Sequence, residues 1–184
     1  MRVLAPAILL VLFAVVSGCS SEPRMIVAET GPAYSELRGV SDVRVLAVKM
    51  PKDIKGEGGG AFDPDEKKDL PLESARYIAD GINGITMNRI SAVSDTERPR
   101  HGIYVEVVVR SMDVGERSSR PFMHTVGGHE GWSRVLADVY IYDADTGKLC
   151  ARLDVDQSSG AGDQLEADMT EIGRQIGLWL EYNK

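Results

Sequence analysis

The chain opens on an apolar run, Leu4 to Val16, broken only by Pro6, and Arg2 stands before it. A run of this length matches the hydrophobic core of an export signal and is too short for a spanning helix, which needs ~20 apolar residues. Beyond it the periodicity changes. Residues 20 to 40 are rich in Ser, Glu, Pro and Gly without a regular apolar repeat, which predicts a tether leading into the domain. Val43 to Met50 is almost continuously apolar and predicts a central strand ending at Pro51. A polar loop centred on Gly58-Gly59-Gly60 follows. Leu72, Ala75, Ile78, Ala79, Ile82 and Ile85 then recur at helical spacing, with Asp69 as the expected N-cap and Pro71 in the first turn. Gly81 and Gly84 weaken that helix but allow close approach to a sheet.

The second half alternates with a period of two. Ile103, Val105, Val107 and Val109 face one way, and Tyr104, Glu106 and Arg110 the other. Val135, Ala137, Val139 and Ile141 repeat the pattern in Arg134 to Tyr142. After the turn signal Asp143-Ala-Asp-Thr-Gly147-Lys, residues Leu149, Ala151, Leu153 and Val155 define another strand and turn Cys150 outward. Met169, Ile172, Ile176, Trp179 and Leu180 then form the apolar stripe of a helix from about Gln164 to Tyr182. The expected fold is α+β, in the order β-α-β-β-β-α. A mostly antiparallel sheet of about four strands carries two helices on one face.

The end of the first run fixes the expected location. Val16-Ser17-Gly18-Cys19 resembles the lipobox of bacterial lipoproteins, in which the cysteine is acylated and the leader removed. Residues 1–18 are then a signal peptide, 19–40 the lipidated cysteine and its tether, and 41–184 one α+β domain. Several acyl chains on Cys19 anchor stably, since each buried CH2 contributes ~0.8 kcal/mol. Ser20 follows, not the Asp that resembles an inner-membrane retention signal, so the expectation is the outer membrane, facing the periplasm.

Charge narrows the partners. Removing the leader, whose only charge is Arg2, takes the formal net charge from −7 to −8. So acidic a domain is not steered to nucleic acid. With Cys19 acylated, Cys150 is the remaining thiol, which excludes an intramolecular disulfide and a zinc site built on several thiolates.

Candidate chemistry concentrates between residues 111 and 133. Phe122, Met123, Trp132, Arg117 and Arg120 are residue types enriched at protein interfaces and mark a partner-binding loop. His124, His129 and Glu130 are metal-ligand types, but their spacing is not that of HExxH. Arg117 and Arg120 with the N–H groups of Gly127 and Gly128 would suit an anion, though no P-loop follows. The serines lack a nucleophile elbow, and Asp143 and Asp145 fall in a turn, so no catalytic residue and no cofactor is assigned.

Asp113 to Gly162 also resembles the domain-of-unknown-function family number 4410 of bacterial lipoproteins. The resemblance rests on Gly115, Arg117 and Arg120, on Gly127-Gly128 and Gly131, on Val135-Leu-Ala-Asp-Val-Tyr-Ile, on the Asp143–Lys148 turn and on Ser158-Ser-Gly-Ala-Gly. His129, Glu130 and Trp132 depart from its small-residue segment. That family is similar in layout to the N-terminal domain of the Tol-system propeller protein and to the curli-secretion lipoprotein. The resemblance implies a non-enzymatic accessory or assembly lipoprotein that binds another envelope component. The alternative is a periplasmic small-ligand or metal-binding domain centred on the 111–133 loop.

Overall fold

The computed structural model describes residues 24–52, 64–113, 133–159 and 164–184. Six strands form one mixed sheet: β1 (Arg24–Thr30), β2 (Asp42–Leu46), β3 (Ser91–Asp95), β4 (Ile103–Asp113), β5 (Ser133–Asp143) and β6 (Leu149–Ser159). Their spatial order is β1-β6-β5-β4-β2-β3. The run β1-β6-β5-β4 is antiparallel, whereas β2 lies parallel to both β3 and β4. Among the described residues two helices, α1 (Pro64–Thr86) and α2 (Gln164–Asn183), and a 3-10 turn at Tyr34–Leu37 accompany the sheet.

The α+β class and the two helices agree with the sequence reading; the four-strand count does not. Two strands lay in segments that carry little pattern. The presumed tether contributes β1, which pairs with β6 from Arg24↔Asp156 to Thr30↔Ala151. Ser-Ala-Val-Ser-Asp, too short and polar to show alternation, becomes β3 because it can run parallel to β2 along its whole length. The parallel pairing is possible because α1 carries the chain back from the end of β2 to the start of β3.

Individual elements also shift. β2 ends at Leu46, but the chain stays beside β4, where Lys49 N donates to the Val107 carbonyl and Lys49 O accepts from Val109 N, each at 2.9 Å. Helix α1 starts at Pro64, where a missing N–H is already without a helical partner, and so runs through Asp69 and Pro71. The Pro71 carbonyl accepts from Val48 N at 2.9 Å and ties the helix to the chain leaving β2. The longer helix changes the buried stripe: Leu70, Ala75, Ile78, Ala79 and Ile82 are inside, while Leu72 is 42% exposed. It ends at Thr86, and Met87 and Asn88 then take left-handed backbone at φ 50° and 58°. Helix α2 matches expectation, with Met169, Ile172, Ile176 and Leu180 fully buried.

Cys150 is the clearest correction. It was expected to face away from the core and is fully buried within it. The cause is a register irregularity: Ile141 pairs with Ala151 and Tyr142 with Leu149, so Cys150 is an extra residue that turns inward. Burial, then the nearby Asp143 carboxylate, push its thiol up to about 11, so it is an inert core residue at neutral pH.

The helices touch backbone to backbone. A Cβ on Gly173 would stand 2.0 Å from the Ile78 carbonyl oxygen, and one on Gly81 would stand 2.1 Å from that of Thr170. Gly81 therefore serves the approach of α2 and not of the sheet, and Gly84 faces open space. Gly173→Ala should cost about 2–4 kcal/mol, because backbone must move to admit a methyl group. Gly84→Ala should stabilise by about 0.5–1 kcal/mol through helix propensity alone. Urea unfolding of the two variants checks both signs.

Candidate binding surface

Cys19 and the loop residues Arg117, Arg120, Phe122, Met123, His124, His129, Glu130 and Trp132 lie outside the described residues. Their flanks are placed. Asp113 at the end of β4 pairs with Arg134 of β5, so residues 114–132 connect an antiparallel pair. Ser133 pairs with Ser159, so the start of β5 and the end of β6 lie at one end of the sheet. The start of β1 lies at the same end of the sheet, since Arg24 and Leu136 both pair with Asp156. Among the described residues, no three His, Cys, Asp or Glu side chains cluster as a metal site would require.

The described residues do assemble one ordered polar and aromatic surface. The helices cover one face of the sheet, and the other carries the alternate residues of β4, β5 and β6. Tyr104 pairs with Tyr142, and Glu106 with Tyr140. Tyr104 and Tyr142 stack at 5.1 Å between ring centroids, and Tyr140 and Tyr142 at 6.3 Å, each pair 18° from parallel. Arginines flank this ladder. Arg98 lies 5.5 Å over the Tyr104 ring and Arg152 lies 5.8 Å over that of Tyr140.

Carboxylates hold the cations in place. Glu106, only 6% exposed, accepts from Lys49 Nζ and Arg98 Nη2, both at 2.6 Å. Asp138, 8% exposed, accepts from Arg152 Nη2 at 3.1 Å and lies 3.6 Å from Arg110 Nε. Burial raises the Glu106 carboxyl, but hydrogen bonds and charge from Lys49 and Arg98 outweigh it and hold the group below the usual carboxylate range. Burial, foremost, raises both Tyr104 and Tyr142, which keeps the phenols neutral at physiological pH.

This geometry suits recognition. Glu106 and Asp138 are engaged by cations and Tyr104 is itself buried at 3% exposure, so the face offers the edges of Tyr140 and Tyr142 and the partly exposed guanidinium groups of Arg98 and Arg152. The period-two alternation already placed Tyr104 and Glu106 on the second face of β4. Their alignment with Tyr140, Tyr142 and Arg152 depends on strand register, which no single strand reveals.

A groove of about 610 Å³ lies elsewhere, past the C-terminal ends of the parallel strands β2 and β3. Ala47, Lys68, Leu72, Arg76, Ser94 and Thr96 line it, with Asp69 and Glu73 alongside. Its walls mix both signs of charge. His101 and Asp145 form a separate, exposed pair, where Asp145 also accepts from Gly102 N and so braces the turn between β5 and β6.

No family model matches the chain, that of family 4410 included, and no curated protein does. A solved structure shares the fold. The PelC dodecamer from Paraburkholderia phytofirmans aligns with a TM-score of 0.51 at 12% identity, over 86% of this chain and 95% of that one. The protein XCC0632 from Xanthomonas campestris, of domain-of-unknown-function family 330, aligns at 0.42 and 14% identity, over 82% and 85%. At these identities the likeness concerns architecture alone.

Glu106→Gln should lower stability by about 1–3 kcal/mol at pH 7, because it removes the charge that Lys49 and Arg98 face. The sign with pH follows from the depressed carboxyl. Its contribution is present above the unfolded-state value, near 4.5, and is lost as pH falls through the lower folded-state value. Urea titrations at successive pH values should therefore show the gap between native and variant protein closing below about pH 4.

Proposed function

We propose that the chain is a lipid-anchored envelope lipoprotein whose α+β domain acts as a non-enzymatic accessory or assembly module, binding another envelope component. The Val16–Cys19 lipobox supports the anchor. The start of β1 carries the reading furthest. Cys19 precedes Arg24 by five residues, so lipid on Cys19 would hold the sheet within about 17 Å of the headgroups. A domain held this close to a bilayer is positioned to meet membrane-embedded or membrane-bound partners. The 114–132 connection, with Arg117, Arg120, Phe122, Met123 and Trp132, leaves from that same end of the sheet.

Two further points favour assembly over turnover. The tyrosine and arginine face is a pre-ordered surface with its carboxylates already engaged. A solved protein of this architecture, PelC, forms a dodecamer, so the fold is able to support an assembly.

Cys19→Ser should release the protein from the membrane fraction, and a variant that still sediments with membranes sinks the anchor. Crosslinking in intact envelopes should capture a defined protein. Trp132→Ala or Phe122→Ala should lower that capture by about tenfold, the effect of losing one aromatic anchor at an interface. Failure to capture any protein, together with zinc-dependent thermal stabilisation that His129→Ala abolishes, would replace this reading with metal binding.

A further inference from the structure

The two edges of the sheet are finished differently. At the β3 edge, the Asn83 side chain of α1 donates to the Ala92 carbonyl and accepts from the Ala92 N–H, both at 2.8 Å. A side-chain amide thus occupies the backbone groups that another strand would need, a common protection of exposed edges. At the β1 edge, β6 is the single strand partner among the described residues. The segment Arg-Met-Ile-Val-Ala-Glu-Thr contains no Pro or Lys, and Ile26 and Val27 are 63% and 46% exposed.

The order of residues in β1 is complementary to itself. A bulge falls between Val27 and Glu29, so Ala28 drops out of the alternation. Arg24, Ile26 and Glu29 then occupy register positions on the open face, opposite Asp156, Asp154 and Arg152 of β6. Met25, Val27 and Thr30 take the helix face. Running β1 antiparallel to a second β1, with the two-fold axis at Ile26, sets Ile26 against its own counterpart and Met25 against Val27. A slip to the next face-preserving register brings Ile26 against Glu29 instead, and a slip by a single residue exchanges the faces.

We propose that the β1 edge is a homodimer site, in which a second copy of this chain adds its own β1 antiparallel across a two-fold axis at Ile26. The six-stranded sheets then join into one. Main-chain hydrogen bonds supply adhesion, and the apolar pairs at its centre, Ile26 with Ile26 and Met25 with Val27, set the register.

The test uses the full-length protein in envelope membranes and in detergent, with copper–phenanthroline as oxidant. Ile26→Cys should yield a covalent dimer, since each new thiol faces its own counterpart. Glu29→Cys should stay at background, as should the native chain, whose Cys150 is buried and whose Cys19 carries the expected acyl chains. Ile26→Lys and Ile26→Glu should each lower the dimer fraction roughly tenfold by placing like charges at the axis. Co-expression of those two variants with different tags should recover a mixed dimer. A native protein that stays monomeric, crosslinking through Glu29→Cys as efficient as through Ile26→Cys, or Lys and Glu variants that dimerise like the native chain would each overturn the proposal. Loss of heteropartner capture with this dimer intact would overturn the accessory reading alone.

Discussion

Backbone contact between α1 and α2 is the constraint on which the rest of the architecture depends. Gly81 admits Thr170 of the facing helix, and Gly173 admits Ile78, so neither helix can be displaced by even one methyl group without backbone movement. That closeness lets both helices fit over one side of the sheet and bury Ile78, Ile82, Met169, Ile172 and Ile176 in a single core. Each fully buried side chain of this kind contributes about 1.5–3 kcal/mol relative to exposure. The close approach thus converts two amphipathic stripes into one interior.

The same packing decides what remains outside. With both helices on one side, the opposite face must satisfy itself, and it does so with charge and aromatic stacking. Glu106 and Asp138 are nearly buried on a face that neither described helix covers, because the side chains of Lys49, Arg98 and Arg152 fold over them. A carboxylate in that position is stable only while its cations stay in reach, which makes the surface rigid. Rigidity reduces the conformational entropy lost on binding, and here it accompanies a short link to the expected anchor.

The edges follow a related logic. Asn83 lies on α1, whose position is set by α2, so protection of β3 is a consequence of helix packing. No helix reaches β1 in this way among the described residues, and Ile26 and Val27 stay exposed at its edge.

Much of the fold was legible because it rests on local periodicity. The alternation in β4, β5 and β6 and the stripe of α2 appear directly in the order of residues, as does the lipobox-like sequence ending at Cys19. Strands β1 and β3 were not legible, since a short edge strand acquires its identity from the neighbour it pairs with. Cys150 was assigned to the wrong face because a bulge breaks the count of two, and bulges are set by cross-strand register. Of the candidate sites, the order of residues marked Phe122, Trp132 and their neighbours by type alone. The Tyr104–Tyr142–Tyr140 ladder and its arginines needed three strands in register. Sequence by itself determined the apolar faces, which depend on near neighbours. Tertiary structure alone decided which polar residues meet and which edges stay open, because those depend on contacts between residues far apart in the chain.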